Sequence, residues 1–194
     1  MEAFRIDGPA SGPENMRLDE ELRDGGRLYT WDGPWVSIGR FQRVEDAIVP
    51  GWTRWIRRPT GGAAVLHGHD LTVSLSTPTA SGRPGEIYCT LLEPVLEALT
   101  ACGLPCHTCG DNVTAARSQD CFASTDRYDV VNEKGEKVCG CAMRITRTHA
   151  LLQISIPYTT PSIDPASAIL GGVSRPVPCW DYEEFGDALR GLGR

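Results

Sequence analysis

Arg57-Arg58-Pro59-Thr60-Gly61-Gly62-Ala63-Ala64-Val65-Leu66-His67 is the most informative stretch of this chain. Two arginines lead into a Thr-Gly-Gly turn. Small residues follow, and a short β-prone run ends in histidine. Glycine lets the backbone approach a ligand closely. Successive backbone N–H groups in such a turn cradle a phosphate or carboxylate, and arginine adds charge-assisted hydrogen bonds. The same residues also suit a tight hairpin with exposed arginines. No Gly-Lys-Ser/Thr follows, so this is not a Walker loop.

On the N-terminal side, Ser11-Gly12-Pro13 precedes a helical stripe of Met16, Leu18 and Leu22 that Gly25-Gly26 stop. Residues 27–31, 35–41 and 52–57 read as strands, with Asp32-Gly33-Pro34 as a turn. Beyond the central stretch, 64–66 and 71–76 read as strands; Leu71, Val73 and Leu75 alternate there with Thr72, Ser74 and Ser76. Residues 86–100 carry the best helical spacing, with Pro94 expected to kink the helix or shorten its start. Strands over 128–131 and 137–145 flank the hairpin signal Asn132-Glu133-Lys134-Gly135-Glu136. Residues 151–156 form a further strand, and 181–192 a short amphipathic helix. This order lacks a regular βαβ rhythm. It predicts an α+β fold with a mixed, largely antiparallel sheet, with residues 1–194 as a single domain.

Composition narrows the function. At 41% hydrophobic and 23% charged, the chain has the make-up of a globular protein. No apolar run reaches the ~18 residues of a membrane span, and the first residues lack the pattern of a secretory signal. A cytoplasmic location is therefore expected, with the eight cysteines as reduced thiols. The net charge of −6 argues against nucleic acid as a partner. Arg40, Arg43, Arg54, Arg57 and Arg58 cluster locally, either as a solvated face or as a patch for an anionic ligand or acidic protein. Cys102, Cys106 and Cys109 share the spacing of an iron–sulfur ligand run. They fall at a helix end and the turn after it, and His107 is too close in sequence to complete a zinc site. No metal is expected.

A second constellation joins Cys121-Phe122 to Gly135-Glu136-Lys137-Val138-Cys139-Gly140-Cys141-Ala142 across the predicted hairpin. A cysteine becomes a good nucleophile beside a cation, and a lysine across a hairpin supplies one. Free cysteine is otherwise a buried hydrophobe, and a strand lysine is otherwise solvated.

Four blocks, in order, resemble the biotin/lipoate protein ligase superfamily, and within it the octanoyltransferases built like lipoate ligases. Asn15-Met16-Arg17-Leu18-Asp19-Glu20 resembles the opening Asn-Met-x-Leu-Asp-Glu helix. Ser37-Ile38-Gly39-Arg40-Phe41-Gln42 resembles the Ser-x-Gly-x-Phe-Gln strand. Residues 57–67 resemble the Arg-Arg-x-Thr-Gly-Gly-x-x-Val-x-His signature. Cys121-Phe122 with Lys137, Gly140 and Ala142 resembles the Cys-Phe and Gly-x-Lys-x-x-Gly-x-Ala elements.

The resemblance implies a class II synthetase-like fold, a mixed sheet flanked by helices, as one catalytic domain. It implies that Cys121 accepts an octanoyl or lipoyl group from acyl carrier protein as a thioester. The group then passes to a lysine of a lipoyl-accepting protein, such as glycine cleavage H protein or a dehydrogenase E2 lipoyl domain. Lys137 would lower the Cys121 pKa and orient the acyl carbonyl. Arg58, Thr60, Gly61, Gly62, Ala63 and His67, with Gly140 and Ala142, would bind the substrate. No cofactor would be needed.

Three departures stand out. Ile154 occupies a glycine position of the family's Gln-Gly-Ser-Ile strand and would crowd the acyl chain or change the acid bound. Ala63 replaces a glycine common in the ligases. Cys139 and Cys141 are alternative thiols. Many relatives also extend further, ligases with an accessory domain, which favours transfer. One alternative is ATP-dependent lipoate ligation, with ATP and magnesium as cofactors, Lys137 on the carboxylate and Cys121 dispensable. Another is a non-catalytic module that binds a lipoyl or carrier protein.

Overall fold

The alternation of Leu71, Val73 and Leu75 with Thr72, Ser74 and Ser76 holds in the computed structural model, which describes residues 4–78, 83–111, 113, 118–173 and 177–192. The chain forms β1 (Phe4–Ala10), α1 (Gly12–Glu21), β2 (Gly25–Trp31), β3 (Trp35–Ile38), α2 (Val44–Ala47), β4 (Trp55–Arg57) and β5 (Val65–His67). It continues through β6 (Asp70–Pro78), α3 (Pro84–Ala101), β7 (Cys106–Thr108), β8 (Val130–Asn132), β9 (Lys137–Ile145), β10 (His149–Pro157) and α4 (Phe185–Leu192). Seven strands lie in the order β1-β2-β6-β10-β9-β8-β7, and three more in the order β4-β3-β5. Only the β1–β2 pair of the larger sheet is parallel. The α+β expectation of a largely antiparallel sheet with flanking helices is met.

The two faces of the large sheet differ in chemistry. Leu71, Val73 and Leu75 of β6 and Leu152, Ile154 and Ile156 of β10 join Leu91, Leu92, Val95 and Leu99 of α3 in the main core, with Phe185 and Leu189 of α4. The opposite face carries Thr72, Ser74, Ser76, Gln153 and Ser155, and it is buried too. Buried polar groups need partners, and most here find them in α1, β2 and β6 itself. Trp31 donates to Thr72 Oγ1 at 3.0 Å, Gln153 to Asp19 at 2.6 Å and Ser155 to Asp70 at 2.6 Å.

The first family-like block is an anchor for this polar layer. Ser11 caps α1, with Pro13 in its first turn. The helix buries Asn15, Met16 and Asp19. Arg27 of β2, fully buried, donates to Asp19 at 2.7 Å, to Asn15 O at 3.0 Å and to Asp7 at 2.8 Å. Tyr29 donates to the other Asp19 oxygen at 2.8 Å.

Several expectations shift. The strand expected to reach Phe41 ends at Ile38, because the chain turns at Gly39, and Phe41 is exposed. Residues 52–57 yield only the three-residue β4, and the C-terminal helix begins at Phe185 rather than 181. Pro94 neither shortens nor ends α3, whose start at Pro84 precedes the expected one. Burial of Leu91, Leu92, Val95 and Leu99 outweighs the hydrogen bond that a proline removes. The arginine cluster is not one anion-binding face. Arg43 pairs with Glu45 and Asp46, Arg54 pairs with Asp32 and stacks on Trp35, and Arg57 donates to the carbonyls of Gly39, Arg40 and Gln42. Cys102 caps α3, Cys106 lies in β7 and Cys109 follows it; no group of three or more His, Cys, Asp or Glu among the described residues is arranged to hold a metal ion. Among the described residues no helix is long and apolar enough to cross a membrane.

Removing one partner of a buried ion pair leaves an uncompensated charge. Asp19→Ala is expected to lower the unfolding free energy in urea by about 3 kcal/mol, and a loss well below ~1 kcal/mol contradicts the anchoring role.

Candidate active site

A cleft of about 400 Å³, counting its open mouth, lies on the polar face of the large sheet where the small sheet meets it. Its walls include Met16, Trp31 and Val65, with Gly140 and Ala142 of β9 and Gln153 and Ser155 of β10.

The Thr-Gly-Gly loop reaches this cleft because two glycines permit it. A Cβ on Gly39 would lie 1.9 Å from the Gly62 carbonyl oxygen, so only glycine lets the end of β3 pass the loop. Gly62 has φ +83°, a left-handed conformation that glycine adopts without strain. Arg58 then holds the loop. Its Nε and Nη2 donate to Gly61 O at 3.1 and 2.5 Å, Nη2 also to Ala63 O at 2.7 Å, and Nη1 to Ser37 O and Oγ at 3.0 and 3.2 Å. A guanidinium has five N–H donors, so these five bonds use them all. Burial draws the Arg58 pKa down to about 10, against the pull of Cys121. Thr60 is buried and donates to Gln153 Oε1 at 2.6 Å. Of the loop residues expected to bind substrate, Arg58, Gly62 and His67 line the cleft. Thr60, Gly61 and Ala63 shape the loop behind it.

The cysteine arrives from the other side. Cys121 opens a 3-10 turn, Cys121–Ala123, capped by Asp120, which accepts from Phe122 N at 3.0 Å and Val173 N at 2.9 Å. The Cys121 N–H donates to Ala64 O at 2.8 Å, tying the turn to the start of β5. Lys137, the first residue of β9, brings its Nζ to 3.4 Å from the Cys121 sulfur. Nζ also donates to Cys121 O at 2.5 Å, Ser124 O at 3.0 Å and Asp129 Oδ2 at 2.6 Å. The Lys137 and Asp129 side chains are each 5% exposed, so this is a buried ion pair. Burial works to lower the Lys137 pKa, but Cys121 and Asp129 hold it above its ordinary value. A fixed ammonium beside sulfur stabilises negative charge developing there. A Cβ on Gly140 would lie 3.1 Å from the sulfur, which is why glycine stands beneath it.

The alternative thiols differ in setting. Cys139 is fully buried under α3, and burial pushes its pKa well up. Cys141 packs against the same core as it edges the cleft, and burial, with Asp129, raises its pKa too. Ile154, the flagged position, belongs both to that core and to the cleft wall.

The cleft that Cys121 lines also holds His67, expected to bind substrate. His67 Nε2 is 2.8 Å from Ser37 Oγ, and Nδ1 is 2.7 Å from Asp70 Oδ2. Trp31 stacks on the imidazole at 3.9 Å. Asp70 also accepts from Ser155 Oγ, from Thr72 Oγ1 and from the Gly68 N–H. Asp70, Asp129, Asp19 and Gln153 went unselected in the sequence. For Asp129 and Gln153 the available signal was an acidic or amide residue within a strand-like run.

Residues 14–176 match the family model of the lipoyl protein ligase A/B catalytic domain. Octanoyltransferase LipM of Kyrpidia tusciae is 34% identical over 168 residues, 73% of this chain and 61% of the relative. That of Carboxydothermus hydrogenoformans is 32% identical over 161 residues, 74% of this chain and 59% of the relative. The chain thus spans about three fifths of the length of the curated relatives it matches. A Thermoplasma acidophilum protein solved with bound lipoic acid superposes with a TM-score of 0.73 at 21% identity, covering 98% of this chain and 83% of its own. Lipoate-protein ligase A bound with ATP gives 0.71 at 20% identity, covering 100% and 85%. At these identities the two structures establish the shared fold.

The Asp70 pair carries a pH signature. Burial alone would raise the Asp70 pKa, but His67, His69 and the Ser155 hydroxyl hold it at about 2, below the usual 3.8. A depressed carboxylate stabilises the fold above its unfolded pKa and loses that stability as pH falls through the folded one. The Asp70 contribution, roughly 2 kcal/mol, is therefore expected to vanish as pH falls from 3.8 towards about 2. Urea titrations of wild type and Asp70→Asn across this window should converge at the acid end; parallel curves contradict the pairing.

Proposed function

This chain belongs to the lipoyl protein ligase A/B catalytic domain family, and from that premise we propose that it is an octanoyltransferase working through a Cys121 thioester. The donor is octanoyl-acyl carrier protein, and the acceptor is a lysine of a lipoyl-accepting protein such as an E2 lipoyl domain or glycine cleavage H protein. The observation that carries the reading is the Cys121 sulfur 3.4 Å from a buried, charge-paired Lys137 at the edge of the cleft. The family resemblance to octanoyltransferases adds to it.

The chemistry follows in two transfers. Cys121 sulfur attacks the donor carbonyl, forming a C–S bond as the donor thiolate departs. The acceptor amine then attacks the enzyme thioester, forming an amide and returning the sulfur. A thioester is already activated, so the relay demands no nucleotide. The Lys137 ammonium faces the sulfur in both transfers, where negative charge rises and falls. Arg58 has its donors engaged by the loop and by Ser37 of β3. Its part is to hold the Thr-Gly-Gly turn rather than to grip an anionic substrate.

With octanoyl-acyl carrier protein and an E2 lipoyl domain, Cys121→Ala is expected to lower acceptor octanoylation by at least ~1,000-fold. Full activity in Cys121→Ala, with pyrophosphate released in step with added lipoate and ATP, overturns transfer in favour of ligation. A folded wild type that binds the lipoyl domain but moves no acyl group points to the binding-module alternative.

A further inference from the structure

Transfer to a lysine has a proton problem that Cys121 and Lys137 do not solve. The acceptor arrives as an ammonium and must lose a proton before its nitrogen attacks. Lys137 has three N–H donors, and the oxygens of Cys121, Ser124 and Asp129 share them with the Cys121 sulfur. It is a held cation, not a vacant base. No carboxylate lines the cleft among the described residues. Tyr29 donates to Asp19, and burial with Asp19 raises its pKa well above the ordinary value. Burial with Asp129 does the same to Cys141.

We propose that His67, acting through the Ser37 hydroxyl, takes the proton of the incoming acceptor amine, and that Asp70 positions the imidazole for this. The inference rests on the proposed transfer reaction. The geometry is that of a serine–histidine–aspartate relay: Ser37 Oγ to His67 Nε2 is 2.8 Å, and His67 Nδ1 to Asp70 Oδ2 is 2.7 Å. Asp70 accepts the Nδ1 proton, which leaves Nε2 as the acceptor facing Ser37. Arg58 Nη1 donates to the Ser37 oxygen at 3.2 Å, so the Ser37 proton is directed to Nε2. Both Ser37 and His67 line the cleft that Cys121 lines, and the stacked Trp31 fixes the ring plane.

The step balances. The ammonium passes one proton to Ser37 Oγ as Ser37 passes its own to His67 Nε2, leaving a neutral amine and an imidazolium paired with Asp70. The amine nitrogen bonds to the thioester carbon and the C–S bond breaks. The departing Cys121 thiolate takes the second nitrogen-bound proton, and His67 returns its proton to water. Here the relay gives Ser37 the part of a proton conductor, with the nucleophile elsewhere in the cleft.

The test separates the two transfers. Enzyme carrying octanoyl on Cys121 is mixed either with Nα-acetyl-lysinamide, an ammonium near neutral pH, or with hydroxylamine, which enters already neutral. Loss of the adduct is followed by mass spectrometry. In His67→Gln the ratio of lysinamide to hydroxylamine rates is expected to fall by about 100-fold or more, and Ser37→Ala should lower the same ratio. An unchanged ratio, including equal slowing towards both nucleophiles as a purely structural role would give, overturns the inference. Should His67→Gln fail to fold, Ser37→Ala decides the comparison. An unsubstituted protein that never gains the adduct fails before any amine is added; that result removes the proposed transfer, and this inference with it.

Discussion

The buried contact between Lys137 and Asp129 is the constraint on which the site depends. An ammonium out of water is costly unless it is paired and fully hydrogen-bonded. Here three oxygens complete it, and two of them belong to the turn that bears Cys121 and runs on to Ser124. The lysine therefore cannot be satisfied unless that turn is in place, and the turn cannot close without delivering the sulfur to the ammonium. Gly140 beneath the sulfur is the steric counterpart of the same requirement.

A second set of contacts brings the opposite wall of the cleft to this centre. Arg58 spends its donors on the loop that contains it and on Ser37 of β3, and Gly39 lets β3 pass close to Gly62. Gln153 joins the loop, through Thr60, to Asp19 and so to the Arg27 anchor. The large sheet thus has an apolar face that supplies most of the hydrophobic burial. Its polar face is just as dry but largely committed to partners, and the cleft opens within it. Charges that in isolation would attract anions are in this way converted into scaffolding.

What the sequence revealed divides between residues that stand inside the ordered blocks and the partners that those residues meet. Arg58, Gly62, His67, Cys121 and Lys137 were legible because they lie in ordered blocks. The helix over α3 and the β9–β10 strands were legible from period. Asp129 and Asp70 lie close in sequence to Lys137 and His67 but outside those blocks. Asp19, inside the first block, takes its meaning from Gln153, 134 positions away, which reaches it only once β10 stands between β6 and β9. β1 escaped notice because Gly8-Pro9 interrupt it, a register shift falls between Ile6 and Pro9, and it lies at a sheet edge. β7 is three residues long and follows a helix end. The arginine cluster left two readings open for a physical reason: guanidinium binds backbone carbonyls and neighbouring carboxylates of its own chain as well as foreign anions.

The central claim is that one sulfur among the eight cysteines carries the acyl group. Incubation of the wild-type protein with octanoyl-acyl carrier protein, acid quench and peptide mapping by tandem mass spectrometry tests it most directly. The account predicts the octanoyl mass on the peptide containing Cys121 and on no other cysteine. Octanoyl on Cys141 or another thiol, with Cys121 unmodified, contradicts it.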